Sequence, residues 1–451
     1  MNKLKTGYGE SVITPKLNSA IEGYYVPRYS KGVLSDLKSI AFAISFDKTK
    51  VLLVSLDLCI VDAHAIATIK NAVKEKTGIS IDNVIITATH THTGPCVKAN
   101  NFFLCEEEPI KEYLNFVAEK TAEACYFALN NLVPTKMGYS VVKAPDRIAY
   151  IRRYKMKDGT TQTCPVINDT NIDHPIGTLD QRVNVLRFDR ENAESVIIMN
   201  YGLHADTVNG ELISSDWIGW VQDTISKCLN GAKCICIMGA QGDVGSTNVH
   251  PTKSDMNDTE ISFDNEMKSP GMSRFVGRAL AGAILQVYDK VEYIDVDVVK
   301  LINEEIMVEL NVPDKKDLPL AHEYTNLHKQ GKDHLIPYKA MELTTVVAEA
   351  MRMVKLENSP KEKSIVLTGL RLGNVALLGI PGEPFTEIGV KIKEMGGFGL
   401  IIPCALTNGY EGYFPSKQAF LEGGYEARTS VYKPSVYDKI ISTAEKILKN
   451  L

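Results

Sequence analysis

Apolar and polar positions alternate along the chain in blocks that predict strands and helices in turn. Two apolar, β-branched runs at 40–46 and 51–58 flank the polar turn 47–50 and predict a hairpin. Most later strand-like runs are followed by a helix-like run or by a loop rich in Gly or Pro. The further predicted strands cover residues 83–89, 195–203, 232–238, 374–380 and 400–406.

Helical spacing of apolar residues predicts a helix over Ala63–Thr77, closed by Gly78. Further helices are predicted at 109–132, within 213–229, at 385–393 and at 435–451, the last with Ser435 as its N-cap. The polar stretch 251–272 is expected to be a surface loop, and 314–334 a helical excursion or lid. This alternation predicts an α/β protein with mixed β-sheets flanked by helices, expected as a single domain over residues 1–451 that has room for two lobes.

Composition narrows the classes of function. The net charge is −5 and no basic stripe is visible, which argues against nucleic acid or an anionic membrane as the main partner. No apolar run is long enough for stable membrane insertion, and the N-terminus lacks the apolar core of a signal peptide. The 9 scattered cysteines contain no CxxC pair, so neither a disulfide framework nor a thiolate zinc site is expected, and a cytoplasmic location is favoured.

Side chains that can do chemistry follow directly after the predicted strands. They are His90, His92, His204, Asp243, Glu383, Tyr410 and Tyr413. In open α/β sheets, ligands bind outside the carboxyl ends of the strands, so residues from five distant segments are expected to meet there. Two or three histidines with one carboxylate form a donor set that zinc prefers. The sequence therefore predicts a metal site at the carboxyl ends of strands.

Each of these residues, taken alone, also has an ordinary structural interpretation. In an extended segment His90 and His92 would point to the same side, yet an isolated pair of this kind is more often two polar loop histidines. A lone His204 after a strand is more often structural, and Asp206 is placed to orient its ring. Glu383 would also suit the N-terminus of the helix predicted at 385–393, where the helix dipole favours an acid.

The Gly-rich loop 239–248 follows a predicted strand as a phosphate-binding loop would. It lacks the lysine and the glycine spacing of G-x-x-x-x-G-K-[ST], which excludes that class of NTPase. The chain also lacks a G-x-S-x-G elbow and an HExxH motif, which excludes an ordinary α/β-hydrolase and a zincin.

Six segments together resemble the catalytic domain of neutral and alkaline ceramidases. They are the run TATHTHTGP at 87–95, the strand end at His204, SDxxG at 215–219, GDV at 242–244, PGE at 381–383, and the pair GY and YE between 412 and 426. Their order and approximate spacing hold from about residue 7 to residue 440. The resemblance implies one zinc ion per chain with ligands at His90, His204, Glu383 and Tyr413. It also implies that His92 acts as acid and base and that Tyr425 donates a hydrogen bond at the scissile amide.

The resemblance is incomplete at three places. The arginine of the family's N-R motif matches Arg152, but Ile151 precedes it, which leaves Arg153 as an alternative. The family loop G-D-x-S-P-N carries a serine needed for activity, whereas here Gly245 takes its place and Ser246 is displaced by one. Either Ser246 is the catalytic hydroxyl, brought into place by a shifted loop, or zinc-bound water acts without that hydroxyl. Asp243 of this loop is expected to support the metal ligands without binding the metal itself. The C-terminal immunoglobulin-like domain and the secretion signal of classical ceramidases are not expected in this chain.

Taken together, these residues predict a zinc-dependent amidohydrolase that cleaves a small soluble N-acyl compound with metal-activated water. An esterase or deacetylase acting on O-acyl groups would use the same site. Two further alternatives are a hydrolase with Ser246 as covalent nucleophile and a non-catalytic metal-binding relative. A homo-oligomer is left open.

Overall fold

The computed structural model describes residues 3–98, 107–256 and 268–451. The strands, in chain order, are β1 (Lys5–Val12), β2 (Gly32–Val33), β3 (Lys38–Phe46), β4 (Thr49–Leu56), β5 (Val84–Ala88), β6 (Val133–Lys143), β7 (Tyr150–Ile151), β8 (Arg153–Met156), β9 (Thr161–Thr163), β10 (Ile172–Pro175), β11 (Arg182–Arg190), β12 (Val196–Tyr201), β13 (Leu212–Ile213), β14 (Lys233–Met238), β15 (Val244–Gly245), β16 (Glu292–Ile294), β17 (Val299–Glu309), β18 (Glu362–Leu372), β19 (Val375–Gly379), β20 (Glu383–Pro384), β21 (Leu400–Cys404) and β22 (Tyr413–Phe414). The helices are α1 (Ala63–Thr77), α2 (Glu107–Asn130), α3 (Asp216–Cys228), α4 (Pro270–Val287), α5 (Leu318–Lys329), α6 (Ala340–Leu356), α7 (Thr386–Lys393), α8 (Lys417–Glu422), α9 (Tyr425–Thr429) and α10 (Ser435–Asn450).

The largest sheet has the strand order β14-β12-β11-β6-β1-β3-β4-β5, with β16 paired to β6. The pairs β4–β5 and β12–β14 are parallel, and the other neighbours are antiparallel. The sheet curls so that its two ends approach each other. The Ser55 hydroxyl in β4, next to the edge strand β5, donates to the Cys236 carbonyl in the opposite edge strand β14 at 3.0 Å. A second sheet has the order β17-β18-β19-β21.

The two sheets pack face to face between layers of helices. Phe42 and Phe188 of the large sheet share one apolar cluster with Leu370 and Ile402 of the small sheet. Helices α1 to α4 cover the other face of the large sheet, and α7 and α10 cover the outer face of the small one. This layered arrangement confirms the predicted α/β architecture of mixed sheets flanked by helices.

Burial on both faces explains why the strands read as nearly continuous apolar runs. Along β3, Ile40 and Phe42 face the second sheet, while Ala41 and Ala43 face the helices, as the two-residue period of a strand requires. The ends of three strands then come together across the sheets. The amide of Ala88, the last residue of β5, donates to the Leu406 carbonyl at 3.3 Å, and the Ala405 amide after β21 donates to the Met238 carbonyl of β14 at 2.9 Å.

Most predicted elements lie within three residues of their observed bounds, and two expectations are wrong. Ser435 is not the N-cap of α10, because it is the first helical residue and its hydroxyl donates to Glu309 Oε2 at 2.7 Å. The expected loop 251–272 also ends early, since α4 begins at Pro270 with the Ser269 hydroxyl as its cap, while residues 257–267 lie outside the described residues. The excursion at 314–334 contains α5, as predicted.

The described cysteines carry free thiols, and Cys105 lies outside the described residues. Within the described ranges, no helix combines the length and the apolar character needed to cross a membrane.

The close packing of β1 on α2 gives a stability prediction. A Cβ added at Gly7 would lie 1.8 Å from the Ala128 carbonyl oxygen, which belongs to helix backbone and cannot swing aside. We expect Gly7→Ala to lower the free energy of unfolding by about 1–3 kcal/mol, the usual range for overpacking. Gly282→Ala in α4 is the control, because no atom lies within 4 Å of its added Cβ. Urea unfolding measures both; equal stability of the two variants would contradict the prediction.

Candidate metal centre

Three buried side chains from distant parts of the chain bring their donor atoms together. His90 follows β5, His204 follows β12, and Glu383 opens β20. Glu383 Oε2 lies 3.1 Å from His90 Nε2 and 2.9 Å from His204 Nε2. The three side chains are at most 2% exposed. The predicted convergence of these three strand-end residues is thus what the structure shows, and we call them the metal trio.

The second nitrogen of each histidine of the metal trio is already used. His90 Nδ1 lies 2.8 Å from the Cys59 carbonyl oxygen, and His204 Nδ1 lies 2.9 Å from the Val244 carbonyl oxygen. A carbonyl only accepts, so each Nδ1 carries a proton, and in the neutral ring the Nε2 lone pair faces Glu383. Metal-binding histidines are commonly held in this way.

The carboxylate of Glu383 completes the test of fit. Its Oε1 accepts from the Tyr410 hydroxyl at 2.8 Å, whereas the buried Oε2 faces the two imidazole nitrogens. A buried acceptor oxygen beside two imidazole lone pairs would be repulsive unless a positive charge lies among them. Two imidazole nitrogens and one carboxylate oxygen are donors that zinc prefers, so these residues fit a metal ion.

Electrostatics within the metal trio agree with this interpretation. Burial, together with the Arg152 charge, lowers the pKa of His204 to about 4, so its ring is neutral and free to bind a metal. Burial opposes ionisation of Glu383, but the charge of His90 holds the pKa of this carboxyl well below its usual range. Burial also opposes a charge on His90, yet Glu383 raises the pKa of this imidazole well above its usual range. Without a metal, a proton on His90 therefore supplies the positive charge that the carboxylate requires.

The backbone at His90 differs from the expected extended segment. His90 has φ 61°, in the left-handed region that residues other than Gly rarely adopt, and its amide donates to the Leu58 carbonyl at 2.9 Å. The two rings still meet, with His90 Nε2 and His92 Nε2 3.3 Å apart. Strained backbone of this kind is concentrated at functional sites.

His92 stands beside the metal trio without belonging to it. Its ligand atoms group with those of Cys59 and His90, whereas His90, His204 and Glu383 form a separate group. His92 Nδ1 is buried and has no hydrogen-bond partner among the described residues; Asp206 Oδ1 lies 3.9 Å away. Burial lowers the pKa of His92 well below its usual value, which keeps the ring neutral.

Asp206 faces His92, not His204 as the sequence suggested, because the Val244 carbonyl already orients His204. The Tyr24 hydroxyl donates to Asp206 Oδ1 at 2.5 Å, and the Lys268 ammonium donates to Oδ2. These contacts hold the Asp206 carboxylate next to the His92 ring.

The structure places Arg152 at the centre and Arg153 outside it. Arg152 Nη1 lies 3.2 Å from His204 Nε2, and its Nη2 donates to the Tyr413 hydroxyl at 3.0 Å. Its Nε donates to Glu426 Oε1 at 2.7 Å. Arg153 instead donates to Glu422 and to the Gly423 carbonyl. Of the two arginines that the sequence left open, Arg152 is therefore the one that lies beside the metal trio.

The two predicted tyrosines, Tyr413 and Tyr425, pack against each other beside Arg152. Tyr413 in β22 is the register partner of Glu383 in the parallel pair β20–β22. The Tyr425 ring lies 5.7 Å from the Tyr413 ring, and its hydroxyl lies 3.1 Å from the Tyr25 hydroxyl. Burial raises the pKa of the Tyr413 and Tyr425 phenols well above the usual value, whereas the charge of Arg152 lowers it.

The loop after β14 contributes backbone and a hydroxyl to the site. Asp243 Oδ1 accepts from the Thr386 amide at 2.7 Å and from its hydroxyl at 2.8 Å, so this carboxylate holds the start of α7. Ser246 lines a small cavity together with His204 and Arg152.

Sequence reasoning missed several residues at the site. They are Tyr24, Tyr25, Lys268 and the fully buried Glu426, which sequence reasoning identified only as a member of the YE pair without a role at the site. None follows a predicted strand. Gly23, with φ 113°, is the nearest signal: its Cα lies so close to His92 that a Cβ would meet the ring at 2.9 Å.

No protein-family model and no curated protein matches the sequence. Solved structures match the fold, among them two that cover 100% of this chain at 16% identity each. One is neutral ceramidase from Pseudomonas aeruginosa, with a TM-score of 0.73 and 75% of that chain covered. The other is a ceramidase complexed with C2, with a TM-score of 0.72 and 76% of that chain covered. The chain therefore has the fold of the neutral ceramidases, as the six sequence segments predicted.

Proposed function

We propose that this protein is a zinc-dependent hydrolase that cleaves the amide bond of a small, soluble N-acyl compound. The observation that carries the proposal is the metal trio, in which the buried Glu383 Oε2 lies 3.1 Å from His90 Nε2 and 2.9 Å from His204 Nε2. The ceramidase fold supports amide hydrolysis as the reaction class.

We propose His90, His204, Glu383 and Tyr413 as the ligands of one zinc ion. Arg152 donates to the Tyr413 hydroxyl and would stabilise its ionised form. Zinc held there would lower the pKa of a water molecule and polarise the substrate carbonyl.

His92 is proposed as the general base and then the general acid. Its Nε2 is 3.3 Å from His90 Nε2, so a molecule bound next to the ligands lies within reach of its ring. Because burial keeps His92 neutral, its imidazole can accept a proton from water and then donate it to the departing nitrogen.

Tyr425 is proposed to stabilise the charge that develops on the carbonyl oxygen. Its raised pKa keeps the phenol protonated, and a phenol hydrogen aimed at a developing oxyanion in a buried site stabilises the transition state. Arg152, held between Glu426 and Tyr413, adds positive charge on the same side. An ester would be cleaved by the same groups.

We propose the cytoplasm as the location, because the described cysteines carry free thiols, as expected in a reducing compartment.

Metal removal tests the proposal. We expect the purified protein to carry one zinc per chain, to lose hydrolysis of N-acyl amides on treatment with a chelator, and to regain it with zinc. Elemental analysis and turnover of a library of N-acyl and O-acyl compounds measure these steps. A protein that holds zinc but turns over no amide or ester would be a binding relative, and a protein without a metal that zinc does not activate would refute the proposal.

Replacing Ser246 by Ala separates the two routes to hydrolysis. We expect turnover to stay within about threefold of the unsubstituted enzyme, because the proposed nucleophile is water and the Ser246 hydroxyl only lines the adjacent cavity. A loss on the order of 10²-fold or more, as removal of a covalent nucleophile causes, would instead assign Ser246 as the nucleophile. Rapid-mixing kinetics then show whether an acyl-enzyme accumulates.

A further inference from the structure

The segment 214–217, where β13 passes into α3, contacts the loop that carries His92. The Ser214 carbonyl accepts from the Thr91 hydroxyl at 2.6 Å and from the Thr93 hydroxyl at 3.2 Å. These two threonines flank His92 in the chain, and both are fully buried. One end of the segment therefore fixes the backbone on either side of the proposed acid–base residue.

The other end of the segment contacts the loop that carries Asp206. The carboxylate of the buried Asp216 makes these contacts. Its Oδ2 accepts from the Thr207 amide at 2.9 Å and from the Val208 amide at 3.2 Å. Its Oδ1 accepts from the Trp217 amide at 2.6 Å and from the Thr207 hydroxyl. Because Thr207 directly follows Asp206, this carboxylate fixes the backbone next to Asp206.

Both oxygens of Asp216 have to be acceptors. The three backbone amides around them can only donate, and they are divided between Oδ1 and Oδ2. An asparagine at this position would turn its amino group toward at least one of these N–H groups in either orientation. Burial raises the pKa of Asp216 to about 6, so the carboxylate is ionised at neutral pH. The residue also has φ 55°, in the left-handed region, and such strained backbone is concentrated at functional sites.

Two further hydrogen bonds join the same loops. The His92 amide donates to the Ala205 carbonyl at 2.9 Å, and the Trp217 indole N–H donates to the His204 carbonyl at 3.3 Å. The backbones at His92 and Asp206 are thus held relative to each other, with Asp206 Oδ1 3.9 Å from His92 Nδ1. When His92 accepts a proton its ring becomes positive, and a carboxylate beside the ring stabilises that charge. The position of Asp206 therefore affects the proposed proton transfer.

We infer that Asp216 is a positioning residue for the proposed hydrolysis, whose buried carboxylate keeps Asp206 beside His92. The inference rests on the proposed role of His92. Among the described residues, the hydrogen bonds of the Asp216 carboxylate go to backbone amides and to Thr207 and not to the metal trio, so this residue acts through Asp206.

Asp216→Asn tests the inference. We expect kcat for an N-acyl amide to fall roughly 10-fold, a part of the 10²–10⁴-fold that an acid–base group contributes, with KM and zinc content unchanged. Asp223→Asn, at an exposed position of the same helix, is the matched control and should leave kcat unchanged. Gly7→Ala controls for lost stability alone and should also leave kcat unchanged. An unchanged kcat, or loss of zinc, in Asp216→Asn would overturn the inference.

A double-mutant cycle shows whether Asp216 acts through Asp206. We expect Asp206→Asn to lower kcat, and the double variant with Asp216→Asn to be about as active as Asp206→Asn alone. Two losses that multiply would contradict the inference, since a general structural defect adds to any other. Thr91→Val keeps the shape of its side chain and removes the hydrogen bond at the other end of the segment. It is expected to behave as Asp216→Asn does in the same cycle, which keeps the inference falsifiable if Asp216→Asn does not fold.

Nitrogen-15 spectra of the histidine rings give a readout that is independent of turnover, with the His92 signals assigned from His92→Gln. We expect Asp216→Asn to move these signals in the direction that Asp206→Asn moves them, and Asp223→Asn to leave them in place. His92 signals that do not move in Asp216→Asn would overturn the inference while the proposed hydrolysis stands. If the zinc-loaded protein hydrolyses no amide or ester, the proposed function fails and the effect on kcat fails with it, whereas the spectra still decide whether Asp216 holds Asp206 beside His92.

Discussion

Replacing Glu383 by Gln is expected to abolish metal binding and hydrolysis together. The substitution keeps the shape of the side chain and the acceptor for the Tyr410 hydroxyl, so the fold is retained. It places an amide, which has no negative charge, where Oε2 lies between His90 and His204. We expect zinc affinity to fall by more than the roughly 10–100-fold that loss of an outer-shell partner costs.

Two measurements check this expectation. Elemental analysis after dialysis gives the zinc content, and thermal unfolding with and without zinc gives the stabilisation by the bound ion. At zinc about 100-fold above its dissociation constant, binding should stabilise the unsubstituted protein by about 2.7 kcal/mol, and Glu383→Gln should lose this gain. Glu394→Gln, an exposed glutamate directly after α7, is the control and should behave as the unsubstituted protein. Full zinc content and turnover in Glu383→Gln would place the metal elsewhere.

The positions of His90, His204 and Glu383 were predictable because each follows a buried strand. Strands end where the chain leaves the core, and several strand ends meet at one edge of the packed sheets. The apolar runs predict those ends to within a few residues. The metal trio therefore follows from local patterns combined with one general rule of sheet geometry.

The surroundings of the trio were not predictable by the same reasoning. Tyr24 and Tyr25 lie in a loop without apolar periodicity, and only the tertiary fold brings them to Asp206 and Tyr425. Arg152 and Arg153 are adjacent, so sequence alone does not show which of them faces the centre. The direction of the Asp206 side chain depends on the Lys268 ammonium, which is 62 residues away in the chain. Side-chain direction in loops is set by such long-range contacts.

The proposal gives two neighbouring histidines different roles, His90 as a metal ligand and His92 as the general base and acid. Both rings lie at the centre, yet only His90 has its ligand atom grouped with those of His204 and Glu383. The ligand atoms of His92 instead lie close to those of Cys59 and His90, so in an alternative metal site His92 would be a ligand. A substitution that separates metal binding from proton transfer decides between them.

Replacing His92 by Gln is expected to lower kcat by about 10²–10⁴-fold, the usual contribution of a general acid–base group, with zinc content unchanged. Metal binding persists because His90, His204 and Glu383 are untouched, and KM should change little because His92 acts mainly in the transition state. His64→Gln, at an exposed position in α1, is the matched control and should leave kcat and zinc content unchanged. Loss of zinc from His92→Gln would make this histidine a ligand, and an unchanged kcat would remove it from the chemistry. Only full zinc content with a reduced kcat assigns the proton transfer to His92, since a ligand and a bystander each fail one of the two measurements.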